Sequence, residues 1–590
     1  MEDKKTALAL FLCFIIVVMY SELFLAPDAR RQAEYKIAQQ NKKQAQQTAE
    51  TTTASNQAKS QATTLELPET IKGAAKPIHA RDRSERNLTT PSAANYQAAD
   101  KLIIDNGVEL FTINLLGARV QNAKLTKHTI SLENEELYDL ISNREGSIYP
   151  LGVYAGAAND NFSKYTVKKI IGNQPTADKT IVLTKDESIE ITLTGTLSDG
   201  TPVDKIFTFT EGSYYFIVEV AVDPTQAKND DIWLEWSQYI PEEVLESRLD
   251  PFTFSVLESD NSIEKILVTD EDLSTGSFID YSGEWVALGG KYFTTALVPS
   301  AKSTNLLIGK TGDIFLSRVR GTQTGGKFFA YAGPKITDKL QAAGLQLERS
   351  IDLGWFSVLA HPLLWLLKFF YSFLGNYGLA IIALTLFIKI LFLPLTKVQF
   401  QSMRAMQELQ PEIKALKERI KEPNQLNQEM MALYKKRGVN PMGGCIPMLI
   451  QLPVFLGLYN ALLNYVALRH APFALWINDL SAPESLEMFG IGVPVMIIIM
   501  GLSMIVQQWT NPSAGDPAQK KAMMMMPVVF TVMFIVFPFP SGLVLYWLVN
   551  NVISIIQQTI LTKERKVSPL QATLVASAAI FALGYILTLL

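Results

Sequence analysis

One cation stands in the middle of an apolar stretch. Lys389 interrupts the run Leu384-Thr385-Leu386-Phe387-Ile388-Lys389-Ile390-Leu391-Phe392-Leu393. An ammonium at bilayer depth costs a few kcal/mol or more unless water or a partner reaches it. Two arrangements satisfy that need. The charge faces a hydrated cavity among helices, or its stem snorkels to an aqueous surface near Lys397, about two helical turns further on. Amides recur in the other apolar runs: Gln451, Asn460, Asn464, Gln507, Gln508, Asn550, Asn551, Gln557 and Gln558. A single amide of this kind commonly hydrogen-bonds between membrane helices. Contributed by several runs at once, they favour a wet groove. The same runs carry no Asp or Glu, which argues against a proton- or sodium-coupled carboxylate relay.

Enzyme chemistry finds little support. The four histidines (His79, His128, His361, His470) are scattered, and the two cysteines, Cys13 and Cys445, stand far apart. That removes most metal and disulfide arguments. There is no Walker loop, no GxSxG, no HExxH and no paired Cys motif. No cofactor is therefore expected. A formal net charge of −4 gives no global basic field and no direct nucleic-acid specificity.

The 590 residues exceed one domain, and the mean hydropathy of +0.14 averages two unlike halves. Residues 1–25 hold a 19-residue apolar run behind Lys4 and Lys5, long enough to span hydrocarbon and read as an uncleaved transmembrane anchor. Residues 26–99, rich in Gln, Ala, Thr, Ser and Lys, read as a flexible linker. Over 100–345 the hydrophobic period falls to two. Residues 205–209 and 215–220 form a hairpin across Gly212-Ser213, and 285–288 and 292–297 form another across Gly289-Gly290. Many strands with short turns predict a large antiparallel β-sandwich, with a helix only around 335–345.

The second half is polytopic. Residues 355–374, with Trp355, Lys368 and many aromatics, suit an amphipathic helix lying in the interface. Residues 375–565 follow, with apolar runs at 377–395, 446–466, 490–508, 523–538 and 541–561. A further uncharged run at 570–590 predicts an extra C-terminal transmembrane helix. The loop 397–445 holds nine Lys/Arg against five Glu, and Lys520, Lys521, Lys563, Arg565 and Lys566 follow on alternate turns of the chain. Positive charge therefore places 397–445 in the cytoplasm and the sandwich outside. Within that loop Met403, Met406, Leu409, Ile413, Leu416 and Ile420 recur at three and four residues, an amphipathic helical stripe. A second helix over 425–436 completes a hairpin spanning 397–437. Its methionines (Met403, Met406, Met430, Met431) offer an adaptable surface to varied apolar clients, or simply pack the two arms together.

The ordered set Gly375-Asn376-Tyr377-Gly378, Pro394-Leu395-Thr396, Gln410-Pro411, Asn440-Pro441, Gly443-Gly444-Cys445, Gln451-Leu452-Pro453, Ala471-Pro472-Phe473, Asp479-Leu480-Ser481, Met526-Pro527 and 541–547 (SGLVLYW) resembles the YidC family of membrane protein insertases. Trp285, Tyr292-Phe293 and Gly333-Pro334-Lys335 resemble the periplasmic domain of its Gram-negative branch, a β-sandwich of sugar-binding ancestry. The resemblance implies an N-terminal anchor, a five-helix insertase core, and a hydrophilic groove open to cytoplasm and lipid but closed outside. Thr385 and Trp547 match groove-lining positions of that family, and Gln451, Gln507, Gln508 and Tyr546 are expected to line the groove with them. A basic residue, commonly Arg, occupies the position of Lys389 in that family; Lys keeps the charge but loses the bidentate fork. Implied partners are client membrane proteins, the lipid bilayer, the Sec translocon and ribosome–nascent chain complexes. The run at 570–590 departs from the family's basic cytoplasmic tail and would put the C-terminus outside.

Two rivals remain. A small-molecule transporter with a fused binding domain predicts repeated halves and a midplane ion site. A tethered carbohydrate-active enzyme predicts converging carboxylates in the sandwich.

Overall fold

The computed structural model describes residues 93–141, 148–226, 230–245, 250–271, 273–300, 304–420, 422–439, 446–488, 490–510, 517–537, 539–563 and 568–589. The anchor expected over 1–25 and nearly all of the linker expected over 26–99 lie outside these residues.

Alternating sequence gives alternating burial. Pro202–Thr210 and Tyr215–Ala221 put every second residue inside. They pair antiparallel with Phe207 opposite Val218, and Gly212 takes the positive φ of +69° that the turn requires. Phe278–Gly289 and Phe293–Pro299 pair with Val286 opposite Leu297. One sheet has 14 strands and a second has five, and both contribute to one continuous apolar core that includes Phe111, Phe207, Trp236, Trp285 and Phe315. The domain is thus a β-sandwich of almost wholly antiparallel strands. The exception is Thr180–Val182, which runs parallel to Lys101–Asp105 at the edge of the smaller sheet.

The sandwich also buries charge. Asp160 accepts from Arg119 Nη2 at 3.1 Å, Lys205 Nζ at 2.6 Å, the Val153 amide at 3.0 Å and the Tyr165 hydroxyl at 3.1 Å. Lys205 Nζ also donates to the carbonyls of Gly117 and Leu151, each at 2.6 Å. A buried charge needs this degree of partnering.

Among the described residues the helices of ten residues or more are α1 (Ser357–Leu374), α2 (Tyr377–Leu391), α3 (Leu393–Glu408), α4 (Gln410–Arg419), α5 (Pro423–Arg437), α6 (Ile446–Asn464), α7 (Val495–Thr510), α8 (Pro517–Val536), α9 (Ser541–Lys563) and α10 (Pro569–Leu589). Two of the departures from the sequence reading have a local physical cause. The first apolar helix ends at Leu391 rather than 395, because Pro394 has no N–H for the Ile390 carbonyl and a new helix begins at Leu393. The run from 490 opens not as helix but as a small hairpin, Leu486–Met488 against Ile491–Val493, turned at Gly490 with φ +76°; Pro494 then precedes α7.

The chain divides into two compact units. The larger takes in 77–402, 440–503 and 534–590, the smaller 403–439 and 504–533 among the described residues. In the smaller unit α4 and α5 form a hairpin tied by the Arg437–Glu412 ion pair, with Leu409, Ile413 and Ile420 buried. Met406 and Met430 are half-buried, and Met431 is 61% exposed.

Candidate functional site

The site is built on α2 and α9 of the larger unit. Gly375, at φ +65°, ends α1 in the left-handed conformation, and the Asn376 side chain caps α2 by accepting from Leu379 N at 3.1 Å. This two-residue joint sets α2 against its neighbours. Leu379, Ile381, Leu384, Thr385 and Ile388 are buried along it.

Lys389 is turned into the bundle. It is only 7% exposed, and its Nζ donates to Ser554 Oγ on α9 at 2.8 Å; that hydroxyl in turn donates to the Asn550 carbonyl at 2.8 Å. Among the described residues no carboxylate forms an ion pair with it. Asn550, Asn551, Ser554, Gln557 and Gln558 recur at helical spacing, so α9 carries a polar strip along its length. Asn551 donates to Ser503 Oγ on α7 at 3.1 Å, and Gln557 donates to Thr573 Oγ1 on α10.

The other expected residues divide. Thr385 lies one turn from Lys389 and is buried, but its hydroxyl bonds its own helix at the Ile381 carbonyl, 2.7 Å away. Tyr546 and Trp547 join an aromatic cluster, with Trp547 edge-on to Phe455 at 4.8 Å and to Phe534 at 5.2 Å. Trp547 stands two helical turns from Ser554, roughly 10 Å along α9. Gln451 is half-buried on α6, one turn before Phe455. Gln507, Gln508 and the hairpin methionines belong to the smaller unit; the Met403 side chain lies outside the described residues. Sequence reasoning missed Ser554, Ser503 and Thr573. The one signal for Ser554 is its spacing, four residues after Asn550 and three before Gln557.

The ends of these helices nearest the sandwich are closed by the segment 465–485. Phe473 packs directly on Gly378, and its carbonyl accepts from Asn376 Nδ2 at 3.0 Å. Ser541 N and Gly542 N, at the start of α9, bond the carbonyls of Ala482 and Leu480 at 2.8 and 2.9 Å. Glu484, which the sequence reading did not single out, caps α7 by accepting from Met496 N at 2.6 Å and Ile497 N at 3.2 Å. Its other oxygen takes the Trp476 indole N–H at 2.8 Å.

Ser357–Leu374, Ser541–Ile560 and Leu570–Leu589 are each long and apolar enough to cross a membrane, and shorter apolar helices accompany them. Among the described residues no cluster of His, Cys, Asp and Glu could hold a metal ion. The class is therefore a polytopic helical membrane protein carrying a large β-sandwich. Residues 102–366 match the family model described as the YidC periplasmic domain, and 369–568 match that of the 60Kd inner membrane protein. The chain is 35% identical over 588 residues to the membrane protein insertase YidC of Geobacter metallireducens, covering 95% of this chain and 98% of that one. To the same-named protein of Pelobacter propionicus it is 41% identical over 405 residues, 66% of this chain and 74% of that one. It is also similar to a crystal structure of an active YidC insertase with its first transmembrane domain resolved, at 19% identity and a TM-score of 0.34, covering 78% of this chain and 92% of that one. The chain belongs to the YidC family of inner-membrane protein insertases, which are not enzymes, and its sandwich is the periplasmic domain.

Proposed function

We propose that this insertase moves client transmembrane segments from the cytoplasm into the inner membrane through a hydrophilic, positively charged groove centred on Lys389. The observation that carries the reading is a buried ammonium that donates to the Ser554 hydroxyl of α9 and, among the described residues, meets no carboxylate. With no carboxylate among the described residues to neutralise it, the cation is available to the acidic or polar outer tail of a client. Charge and water in the groove lower the desolvation cost of that tail. The client's apolar segment then leaves along lipid-facing helices, and its transfer out of water drives the process without nucleotide. Thr385, Gln451, Gln507, Gln508, Tyr546 and Trp547 would line the path. The hairpin 397–437, with Met403, Met406, Met430 and Met431, would receive clients on the cytoplasmic side.

The remaining assignments follow from charge and length. Residues 1–25 anchor the N-terminus with its start in the cytoplasm, 26–99 tether the periplasmic domain, and 355–374 lie along the outer interface. The span at 570–590 returns the chain to the periplasm. Cooperation with the Sec translocon and receipt of clients from ribosomes belong to the same reading.

The test is reconstitution of the full chain in liposomes with a short single-span client, scored by protease protection. Lys389→Ala should reduce insertion about tenfold or more, and Lys389→Arg should keep most of it. Unimpaired insertion by Lys389→Ala would remove the charge from the mechanism.

A further inference from the structure

The closing segment 465–485 is held from two sides. Its inner side is bonded to the starts of α2, α7 and α9 through Phe473, Leu480, Ala482 and Glu484. Its outer side meets the periplasmic domain. Arg469 Nη2 donates to the Ile130 carbonyl at 2.7 Å, and its guanidinium lies 5.5 Å from the Tyr138 ring centroid and 5.6 Å from that of Phe293. His470 Nδ1 meets Thr129 Oγ1 at 3.3 Å. Val466 goes further and is a member of the sandwich's own core. Tyr292 lies beside Ser481 and Asp479.

We infer that the periplasmic domain latches the outer closure of the insertase, with Arg469 as the positioning residue of the latch. This rests on the insertase reading above and gives the periplasmic domain a part in it. The physical reason is that a water-bearing groove around Lys389 threatens the permeability barrier unless its outer end stays shut. Hydrogen bonds to helix ends alone leave a loop of this length free to fray. Arg469 removes that freedom, because a planar guanidinium lying against a stacked pair of rings and bonded to a strand-end carbonyl fixes position and orientation together. The aromatic pair it uses is itself rigid, with Tyr138 stacked on Phe293 at 4.4 Å. His128 stands edge-on to Phe293, and burial together with the Arg469 charge pushes its pKa down to about 4. It therefore stays neutral at physiological pH and adds no repulsion to the latch.

The experiment measures two quantities on the same proteoliposomes: client insertion and proton leak, read from a pH-sensitive dye trapped inside. Arg469→Ala should raise the leak several-fold while insertion stays near wild type, and Arg469→Lys should fall between. A second variant separates latching from folding. In a chain with Cys13 and Cys445 replaced by serine, Thr129→Cys with His470→Cys joins the two sides covalently. Added to Arg469→Ala, the oxidised pair should restore the tight seal and its reduction should reopen it. A leak unchanged by Arg469→Ala, or raised but not lowered by oxidation, overturns the latch. A wild type that fails to insert overturns the insertase reading instead, and the leak comparison distinguishes the two.

Discussion

At the scale of single residues, the periplasmic domain handles two buried carboxylates in opposite ways. Glu109 is fully buried, and among the described residues neither of its side-chain oxygens has a hydrogen-bond partner. Burial, with the Asp139 charge added, raises its pKa well above the ordinary 4.5. The folded domain therefore keeps the proton that the unfolded chain loses near pH 4.5. Above that pH the unfolded state binds fewer protons, so stability is full in acid and falls as pH rises toward the raised value. Glu109→Gln removes the titration and should leave the domain's thermal midpoint unchanged at pH 4 and higher than wild type at pH 8. A midpoint that tracks the wild type at both values would mean that Glu109 is ionised and served by water. Asp160 is the contrary case, bound by four donors. Asp160→Ala leaves Arg119 and Lys205 buried without their counter-charge, and breaking such a pair costs about 3–5 kcal/mol. Pulse proteolysis of the domain in the full chain should show that loss.

At the scale of elements, what the sequence discloses depends on how local the cause is. The two β-hairpins were legible because alternation and a Gly-bearing turn act within a dozen residues. The α9 polar strip was half legible: its four amides stand out against an apolar run, but Ser554 does not, since a serine one turn from an asparagine looks like a neutral helix residue. Its importance comes from Lys389, 165 positions away. The start of α7 was misjudged because Ile491 and Val493 look like the helix they precede. What sets the true boundary is Glu484, acting across an intervening hairpin. Replacing Glu484 by alanine should leave the Met496 and Ile497 amides and the Trp476 indole N–H without their acceptor, a loss of about 1–2 kcal/mol. Hydrogen exchange should speed up at those two amides, with strands of the periplasmic domain such as Tyr215–Ala221 unaffected. Exchange unchanged at Met496 and Ile497 would show that the helix end is held by packing alone.

At the scale of the whole molecule, the informative departure is α10. The helix is not a loose appendage: Ala572, Thr573 and Ala576 are buried, and Gly584 sits so close to Ile382 of α2 that an added Cβ would lie 2.7 Å from its side chain. Small residues recurring every four positions let two helices approach closely without any gain in hydrophobic burial, the usual basis of association in lipid. The second function of α10 is polar. Gln557 of α9 is 2% exposed and spends its amide on Thr573; without α10 that amide would face hydrocarbon, where each unmet group is costly. Truncation after residue 567 should therefore lower the thermal midpoint of the detergent-solubilised chain. The amide supplies part of that loss, so Gln557→Leu in the truncated chain should recover some of it. In the intact chain the same substitution should instead cost about 1 kcal/mol, through the lost hydrogen bond to Thr573. A substitution that changes sign with the presence of another helix is a coupling that packing alone does not produce. If Gln557→Leu lowers the midpoint equally in both chains, α10 holds the bundle by shape and the amide bond is incidental.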